Sequence, residues 1–388
     1  MKLLTFLVPK WKVMLTMAVF LFAVVSFASA QGDENGEDLE ETLKRLSGDA
    51  AKSYVSPVVS AFGSNLNGGW FHKAPPAKLF GLDFELGVKL MGTFFPDERE
   101  YKHFSTTGTF RFNSYYATQL VNNTPGLSSL DPLIKEALIK AITKIDFTVG
   151  ISGATIIGES DDYIKIDFSG EDITFTDPIT GLSRTITVGA MVTTLEGIGG
   201  LGDYLADISF LPFAAPQASV GTILGTRAVF RYIPEISLPG INITEDIGTF
   251  SWFGWGVQHN PGVFFPTPLP LDISVGFFMQ TLKVGNILKA TTTAYGITVS
   301  KKLGARMFNI TPYAGFLIEK SKLHFTYNFT LDEGTIDEQF IPIDFTLEGE
   351  NKSRITLGLS LRLLLFNINA DYNIGNYNSV TVGVMIAI

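Results

Sequence analysis

A strict alternation of apolar and polar residues constrains the fold of this chain more than any other feature. In "GLDFELGVKL", residues 81–90, Asp83, Glu85 and Lys89 share one face of an extended strand and apolar residues occupy the other. The same period of two recurs in "LDISVGFFMQ" (271–280), "SRITLGLSLRLL" (353–364), "FNINADYNI" (366–374) and "SVTVGVMIAI" (379–388). A helix would mix the two sets of residues, so the pattern predicts an antiparallel sheet with one apolar and one polar face.

Two architectures accommodate such strands. A water-soluble sandwich buries the apolar faces inside, whereas a membrane-spanning barrel turns them outward. Further strands are predicted at 222–233, 246–258, 289–302, 307–329 and 339–349. They reach the roughly 9–11 residues that a spanning strand needs and exceed the usual length of about five or six. This length favours an all-β protein, a transmembrane antiparallel β-barrel of about 12–14 strands, with the sandwich as the alternative.

Aromatic residues near the ends of the predicted strands agree with a membrane barrel, in which they form girdles at both interfaces. They are Phe94, Phe95, Trp252, Trp255, Phe264 and Phe265. The stretch at 379–388 would be an aggregation-prone edge if nothing covered it. We expect it to close the barrel by pairing with the strand at 366–375 and with the first strand near 80–94.

The first thirty residues have the three parts of a secretory signal peptide. Lys2, Lys10 and Lys12 form a basic region, "VMLTMAVFLFAVV" is an apolar core, and "ASA" at 28–30 is a small-residue cleavage motif. We therefore predict export with cleavage between Ala30 and Gln31, and an uncleaved membrane anchor is the alternative. An exported barrel of this kind is expected in the outer membrane of a Gram-negative bacterium.

The remaining chain divides into an N-terminal segment and a barrel. Residues 31–77 are predicted to form a short amphipathic helix ending near Gly48, since Pro57 hinders its continuation, and then a plug-like loop in "AFGSNLNGGWFHKAPP". Residues 78–388 form the barrel. A polar, mixed α/β insertion is expected at about 114–220, and its helix in "SSLDPLIKEALIKAITK" begins after an N-cap at Ser129 or Asp131.

Composition and motif spacing exclude several function classes. The net charge of −9 argues against nucleic acid as a partner, and the lack of cysteine excludes disulfides and cysteine-ligated zinc. The four histidines, at 72, 103, 259 and 324, show no metal-binding spacing, and no G-x-S-x-G motif is present. "GIGGLG" at 197–202 lacks the flanking strand and helix of a dinucleotide site. No catalytic residue, metal or cofactor is therefore expected.

The polar face of the strands would line the lumen of a membrane barrel. The predicted lumen-lining residues are Asp83, Glu85, Lys89, Arg227, Arg231, Asp272, Arg354, Arg362, Asn369 and Asp371. Arg227 and Arg231 share one face of a strand because they are four residues apart. They either form a charged surface that holds a carboxylate head group or pair with inward acids in a filled barrel. The cost of burying an unpaired arginine favours the second interpretation.

Four blocks resemble, in order and spacing, an uncharacterised family of exported bacterial outer-membrane β-barrel proteins, a domain of unknown function. They are "SPVVSAFGSNLNGGWFHKA" (56–74), "FGLDFELGV" (80–88), "APQASVGTILGTRAVFRYIPEI" (215–236) and "FGWGVQHN" (253–260). That family is distantly similar to outer-membrane transporters of long-chain fatty acids. This similarity implies about 14 strands, a plug that includes residues 63–70, and a lateral opening for hydrophobic substrates. The chain departs from the pattern in its polar insertion and in its last residue, Ile388, where many such barrels carry an aromatic residue.

Three functions are compatible with these features. The first is passive transport of a hydrophobic or small amphipathic molecule, without chemistry. The second is a non-conducting structural or adhesive barrel whose lumen is filled by residues 31–77 and 114–220. The third is a barrel lipid hydrolase, which needs a Ser or Thr beside His259 or His324. The expected partners are outer-membrane lipids, the barrel assembly machinery and a hydrophobic small molecule.

Overall fold

The computed structural model of the protein describes residues 48–195, 210–237, 249–305, 307–331 and 339–388. The chain divides into two compact units, Val58–Pro96 with Ile208–Ile388, and Met1–Pro57 with Asp97–Asp207. We call the first the barrel unit and the second the insertion unit. The predicted signal peptide with its cleavage site at Ala30 and Gln31, the helix expected before Gly48, and the "GIGGLG" segment lie outside the described residues.

The described strands and helices are numbered in chain order. The strands are β1 Phe80–Phe94, β2 His103–Phe110, β3 Phe147–Ala154, β4 Ile164–Phe168, β5 Glu171–Thr176, β6 Ser183–Val188, β7 Met191–Leu195, β8 Phe210–Ile223, β9 Thr226–Ser237, β10 Thr249–His259, β11 Asp272–Val284, β12 Leu288–Ser300, β13 Leu303–Gly304, β14 Phe308–Leu331, β15 Gln339–Glu348, β16 Ser353–Leu363, β17 Phe366–Ile374 and β18 Ser379–Ala387. The helices are α1 Gly48–Asn67, α2 Arg99–Lys102, α3 Ser114–Asn123 and α4 Pro132–Ile142, with a 3₁₀ turn at Pro261–Phe264.

The barrel unit is a closed antiparallel barrel of ten strands, which confirms the predicted fold class. Around the ring the order is β1, β8, β9, β10, β11, β12, β14, β16, β17 and β18, and β18 pairs with β1. The terminal strand is therefore held on both sides, with Val384 opposite Val88 of β1 and Ile368 of β17, as expected. Alternate strands of the ring, β1, β9, β11, β14 and β17, run in one direction, from a lower end at Phe80 and Asp272 to an upper end at Phe94 and Val284.

The ring has fewer strands than the 12–14 expected. One reason is β14, which is 24 residues long. Its first part pairs with β12 and β16 in the wall, whereas its last part, Lys322–Leu331, pairs with β15, and β15 pairs with β14 alone among the described strands. The strands of the insertion unit form separate sheets of four and two strands, so they add nothing to the ring.

The insertion unit has its own apolar core. The predicted helix is confirmed as α4, which begins at Pro132 after an Asp131 N-cap whose side chain accepts a hydrogen bond from Leu133 N at 2.9 Å. Its buried residues pack with those of the β2–β3–β4–β7 sheet. The observed limits of the insertion differ from the expected 114–220 at both ends. The inserted part of this unit is Asp97–Asp207, and Phe210–Ile223 is a barrel strand. Pro212 and Pro216 obscured that strand in the sequence.

Helix α1 runs through Pro57, so the expectation that proline would stop it was wrong. The first part of the predicted loop, residues 61–67, is helical as well. A proline inside a helix removes one hydrogen bond and costs about 3 kcal/mol, which the contacts of residues 58–67 inside the barrel offset. Among the described helices, none has both the length and the apolar character needed to cross a membrane.

Candidate functional site

The outer wall of the barrel is apolar and its inner wall is polar. On β1, Phe84, Leu86, Val88 and Leu90 are 40–52% exposed, whereas Glu85 and Lys89 between them are fully buried. The outward residues of β16, β17 and β18 are likewise large and apolar. A water-soluble sandwich would show the opposite arrangement, with its charged residues in water. The polar face of each strand therefore belongs to the lumen.

The lumen contains a segment that we call the plug, residues 58–78, which enters at the upper end. There, the Ser60 hydroxyl accepts a hydrogen bond from Glu350 N at 3.1 Å, and Asn65 Nδ2 donates one to Leu211 O at 2.7 Å. At the lower end, the Asn260 side chain donates to Pro75 O at 2.7 Å, and Gly225 N donates to Lys78 O at 2.9 Å. The plug thus spans the barrel from end to end and continues directly into β1.

The C-terminus of α1 lies inside the barrel and is capped by its wall. The guanidinium of Arg231 donates to Leu66 O at 2.9 Å and to Gly68 O at 2.6 Å, and Gln280 also donates to Leu66 O. Arg354 donates to Ser64 O at 2.7 Å. The last carbonyls of a helix carry partial negative charge and lack partners within the helix. Two arginines from distant strands therefore cap the end of α1. A capping motif in the local sequence would supply such contacts from residues next to the helix end.

Aromatic residues of the plug fill the middle of the lumen. The Trp70 ring stacks on Phe278 with centroids 5.2 Å apart, and the Arg231 guanidinium carbon lies 4.0 Å from the centre of the Trp70 ring. Phe71 contacts Phe278 and meets Tyr313 edge to face at 6.1 Å. Beside them is a small cavity lined by Trp70, Phe71, Arg354 and Asp371. The plug thus blocks the axial path in this region.

A charged network joins the plug to the wall near the lower end. Lys73 Nζ lies 2.7 Å from Glu85 Oε1 and 3.1 Å from Asp83 Oδ2, and His72 Nε2 lies 3.1 Å from Glu85 Oε2. Arg227 donates to Asp83 and approaches Glu85 at 3.6 Å. The prediction that Arg227 pairs with inward acids is therefore confirmed. Arg231 instead faces helix carbonyls and Trp70.

The other predicted lumen residues occupy three further positions. Lys89 donates to Asn369 Oδ1 at 2.5 Å, and Asp371 accepts from Tyr313 at 2.8 Å, both in the buried interior. Arg354 lies 3.1 Å from Glu319, a buried partner that the sequence analysis did not single out. At the lower end, Asp272 accepts from Ala77 N, and Arg362 donates to the carbonyls of Leu364 and Ala387. All ten residues lie on the inward side of the wall or at its lower rim.

One junction in the wall, between β8 and β9, is incompletely paired. Backbone pairing runs from Ile223 opposite Thr226 to Gln217 opposite Arg231 and stops there, although residues 210–237 are all described. In the upper half, residues 210–216 of β8 pair with β1 alone, and residues 232–237 of β9 pair with β10 alone. Pro212, Pro216 and Pro234 in these stretches cannot donate backbone hydrogen bonds. We call this stretch the seam.

An apolar cluster lies on the lumen side of the seam. The Phe213 ring contacts Phe62 of the plug at 5.3 Å and Trp252 at 5.1 Å between centroids. Phe213 is 9% exposed and Trp252 is 1% exposed. The assignment of Trp252 to an outer girdle was therefore wrong: residues three apart in a strand point to opposite faces, and Trp255 is the outward one. Sequence analysis missed this cluster, because residues 212–216 were assigned to the insertion and no local pattern joins Phe62 to Phe213.

The other aromatic residues assigned to a girdle lie near the barrel ends. Phe264 and Phe265 are exposed at the lower end, beside the 3₁₀ turn. Phe94 and Phe95 are half-buried at the upper end, and Phe94 contacts Phe210 of β8.

Histidine and threonine meet at two places, as the hydrolase alternative requires. His259 Nδ1 lies 3.0 Å from the Thr226 hydroxyl, and His324 Nδ1 lies 3.0 Å from that of Thr346. The His324 side chain is on the outward face of β14 and is 40% exposed. Both contacts join facing residues of neighbouring strands, the ordinary geometry of a cross-strand pair. Within the described ranges, no group of three His, Asp or Glu residues is placed to hold a metal ion.

Comparison with known proteins gives a family and distant structural similarities. A family of unknown function, DUF6588, matches residues 10–388. No curated protein matches the chain. A loop L8 deletion mutant of OmpT, an outer membrane protein of Vibrio cholerae, has 12% identity and a TM-score of 0.23 over 80% of this chain and 100% of that one. The toluene transporter TbuX of Ralstonia pickettii has 9% identity and a TM-score of 0.18 over 81% and 91%. Similarity at this level shows no function.

Proposed function

The chain belongs to the DUF6588 family, as its sequence blocks predicted, and because that family has no assigned activity, we propose a function from the geometry of the barrel. The protein passes a hydrophobic or small amphipathic molecule across the bacterial outer membrane, without chemistry. The observation that carries this proposal is the seam between β8 and β9, backed by the buried cluster of Phe62, Phe213 and Trp252.

The location in the outer membrane is supported by the distribution of polarity. Only a closed barrel can present an apolar wall of strands to lipid, because lipid offers no partner for free backbone groups. The predicted signal peptide agrees with export.

The route that we propose is lateral. Among the described residues, the plug contacts the wall along the axis through charged and aromatic side chains, which argues against an axial route. A hydrophobic molecule dissolved in the membrane meets the seam directly, and the aromatic rings of Phe62, Phe213 and Trp252 lie behind it. The Arg231 guanidinium lies 5.8 Å from the centre of the Trp252 ring. Entry requires separating few backbone hydrogen bonds there, since the ladder already stops at Gln217 and Arg231. The lipids around the wall and the assembly machinery that inserts it are the other partners that we propose.

The test is to tie the seam shut. The chain has no cysteine, so pairs can be introduced without background reaction. Ala214→Cys with Pro234→Cys places thiols where the two strands would face each other if their register continued. Joining them with a short bifunctional thiol reagent should abolish uptake of a fluorescent fatty acid by proteoliposomes. The matched control is Ala218→Cys with Phe230→Cys, at a position where the strands already pair, and uptake should persist there. Equal uptake by both joined variants would refute the lateral route.

A non-conducting structural barrel is the second candidate, and the filled lumen favours it. Both candidates predict that the intact protein conducts no steady ion current in planar bilayers, because the plug blocks the axis in each case. Uptake of the fluorescent fatty acid separates them. If the protein inserts in the membrane and passes none of this molecule, the structural role stands and the transport proposal fails.

A further inference from the structure

Lysines cluster on the outward face of three neighbouring strands at the upper end. They are Lys283 on β11, Lys289 on β12, and Lys320 and Lys322 on β14, and we call them the basic patch. All four are exposed. Their side chains lie on the outer face of the barrel wall, so they have no part in the plug contacts or in the seam.

The strand register places like charges side by side in this patch. Lys283 of β11 lies directly opposite Lys289 of β12. Like charges that face each other across a ladder destabilise a sheet. Within the described residues, Glu348 contacts Lys320 and Lys322 at 3.0 and 3.2 Å, but neither Lys283 nor Lys289 has a carboxylate within ion-pair distance. The patch therefore keeps an excess of positive charge that an anion would neutralise.

The patch begins where the apolar wall ends. Moving up each strand, the outward residues are Phe277 and Met279 before Lys283 on β11, and Phe316 and Ile318 before Lys320 on β14. On β12, Tyr295 precedes two threonines and Lys289. The long lysine stems can lie along the apolar surface while their ammonium groups reach the polar layer. Around a membrane barrel, we expect lipid phosphates at this border between the apolar wall and the polar layer.

Four other strands of the ring carry no such lysines at this end. On β1, β8, β17 and β18, the outward residues at the same end are Phe94, Phe210, Ile374 and Val380, which carry no charge. A general layer of basic residues would surround the whole rim. We propose that the basic patch binds the phosphate of an anionic membrane lipid in the leaflet at the upper end, an inference that rests on the proposed membrane location.

The test counts lipids that stay bound to the protein. The full chain in mild detergent is incubated with equal amounts of phosphatidylglycerol and phosphatidylcholine, and bound lipid is measured by native mass spectrometry. The wild type should prefer phosphatidylglycerol. In Lys283→Gln with Lys289→Gln, that preference should fall about 25-fold, given about fivefold for each lysine near anionic lipid. The control, Lys144→Gln with Lys165→Gln, removes two exposed lysines of the insertion unit and should keep the preference.

Two further measurements make the outcome decisive. Glycerol 3-phosphate, which has the anion but no acyl chains, should displace no lipid at equal concentration; if it displaces the lipid, the patch binds free phosphate and the lipid assignment is wrong. An unchanged preference in the patch variant also overturns the proposal. Insertion of the wild type in vesicles is followed separately. Failure to insert would refute the membrane location, whereas insertion without lipid preference would refute the patch alone.

Discussion

Gly63 marks the closest approach of the plug to the wall. A Cβ atom built on it would lie 2.6 Å from the Cβ and 2.2 Å from the hydroxyl oxygen of Ser321 on β14. Gly63→Ala would gain about 1 kcal/mol of helix propensity, but the overlap costs about 1–3 kcal/mol, and a strand backbone gives way less readily than a side chain. We expect a net loss of stability, measured as a lower temperature of barrel unfolding in detergent.

The cause of that loss can be tested at the same contact. Ser321→Gly removes the overlapping atoms, so adding it to Gly63→Ala should recover part of the lost stability. Gly81→Ala on β1 is the matched control, because the nearest atom to its added Cβ is a lysine carbon at 3.7 Å. If Gly63→Ala unfolds no earlier than Gly81→Ala, the helix is not packed against β14 as described.

At the scale of elements, the plug is held at its centre by Arg231. Its guanidinium binds carbonyls of Leu66 and Gly68 and stacks on Trp70. Arg231→Met therefore removes the cation over Trp70 and the donor to Gly68 O, while Gln280 and Arg354 still cap the end of α1. The wall itself is held by backbone pairing, which this change leaves in place. We expect bursts of ion current in planar bilayers from a barrel that still resists detergent.

Arg362→Met is the control, since Arg362 bonds only with wall carbonyls among the described residues, and it should stay silent. A silent Arg231→Met would show that the plug does not need this contact.

Alternation predicted the wall well and the contents of the lumen poorly. The face of Asp83, Glu85 and Lys89 follows from a period of two, which is a property of each strand alone. Arg231 binds the carbonyl of Gly68, which follows the end of α1 and lies 163 residues away in the chain. No local sequence pattern records that contact. Pro57 was misjudged for the same reason, because contacts with the barrel outweigh the local cost of proline. Trp252 was assigned to the wrong face because only its position near a strand end was considered. Its place in the alternation of inward and outward residues was not.

At the scale of the molecule, closure of the ring should make the protein resist detergent. A closed barrel has no free edge where unfolding can begin. The unheated protein should therefore migrate faster in a denaturing gel than the boiled protein. Val384→Pro in β18 would interrupt the ladders to both β1 and β17 and should remove the fast band, whereas Val384→Ala should keep it. A single band before and after heating in the wild type would favour a soluble sandwich.

The path of the plug also fixes an order of events. The plug leads at the lower end directly into β1, and β1 is one of the two strands whose pairing with β18 completes the ring. A helix that is already covalently joined to the first strand has to lie between the strands before the last one docks. The barrel therefore closes around the plug. The pairing of β18 with β1 encloses a segment that precedes every strand of the ring in the chain.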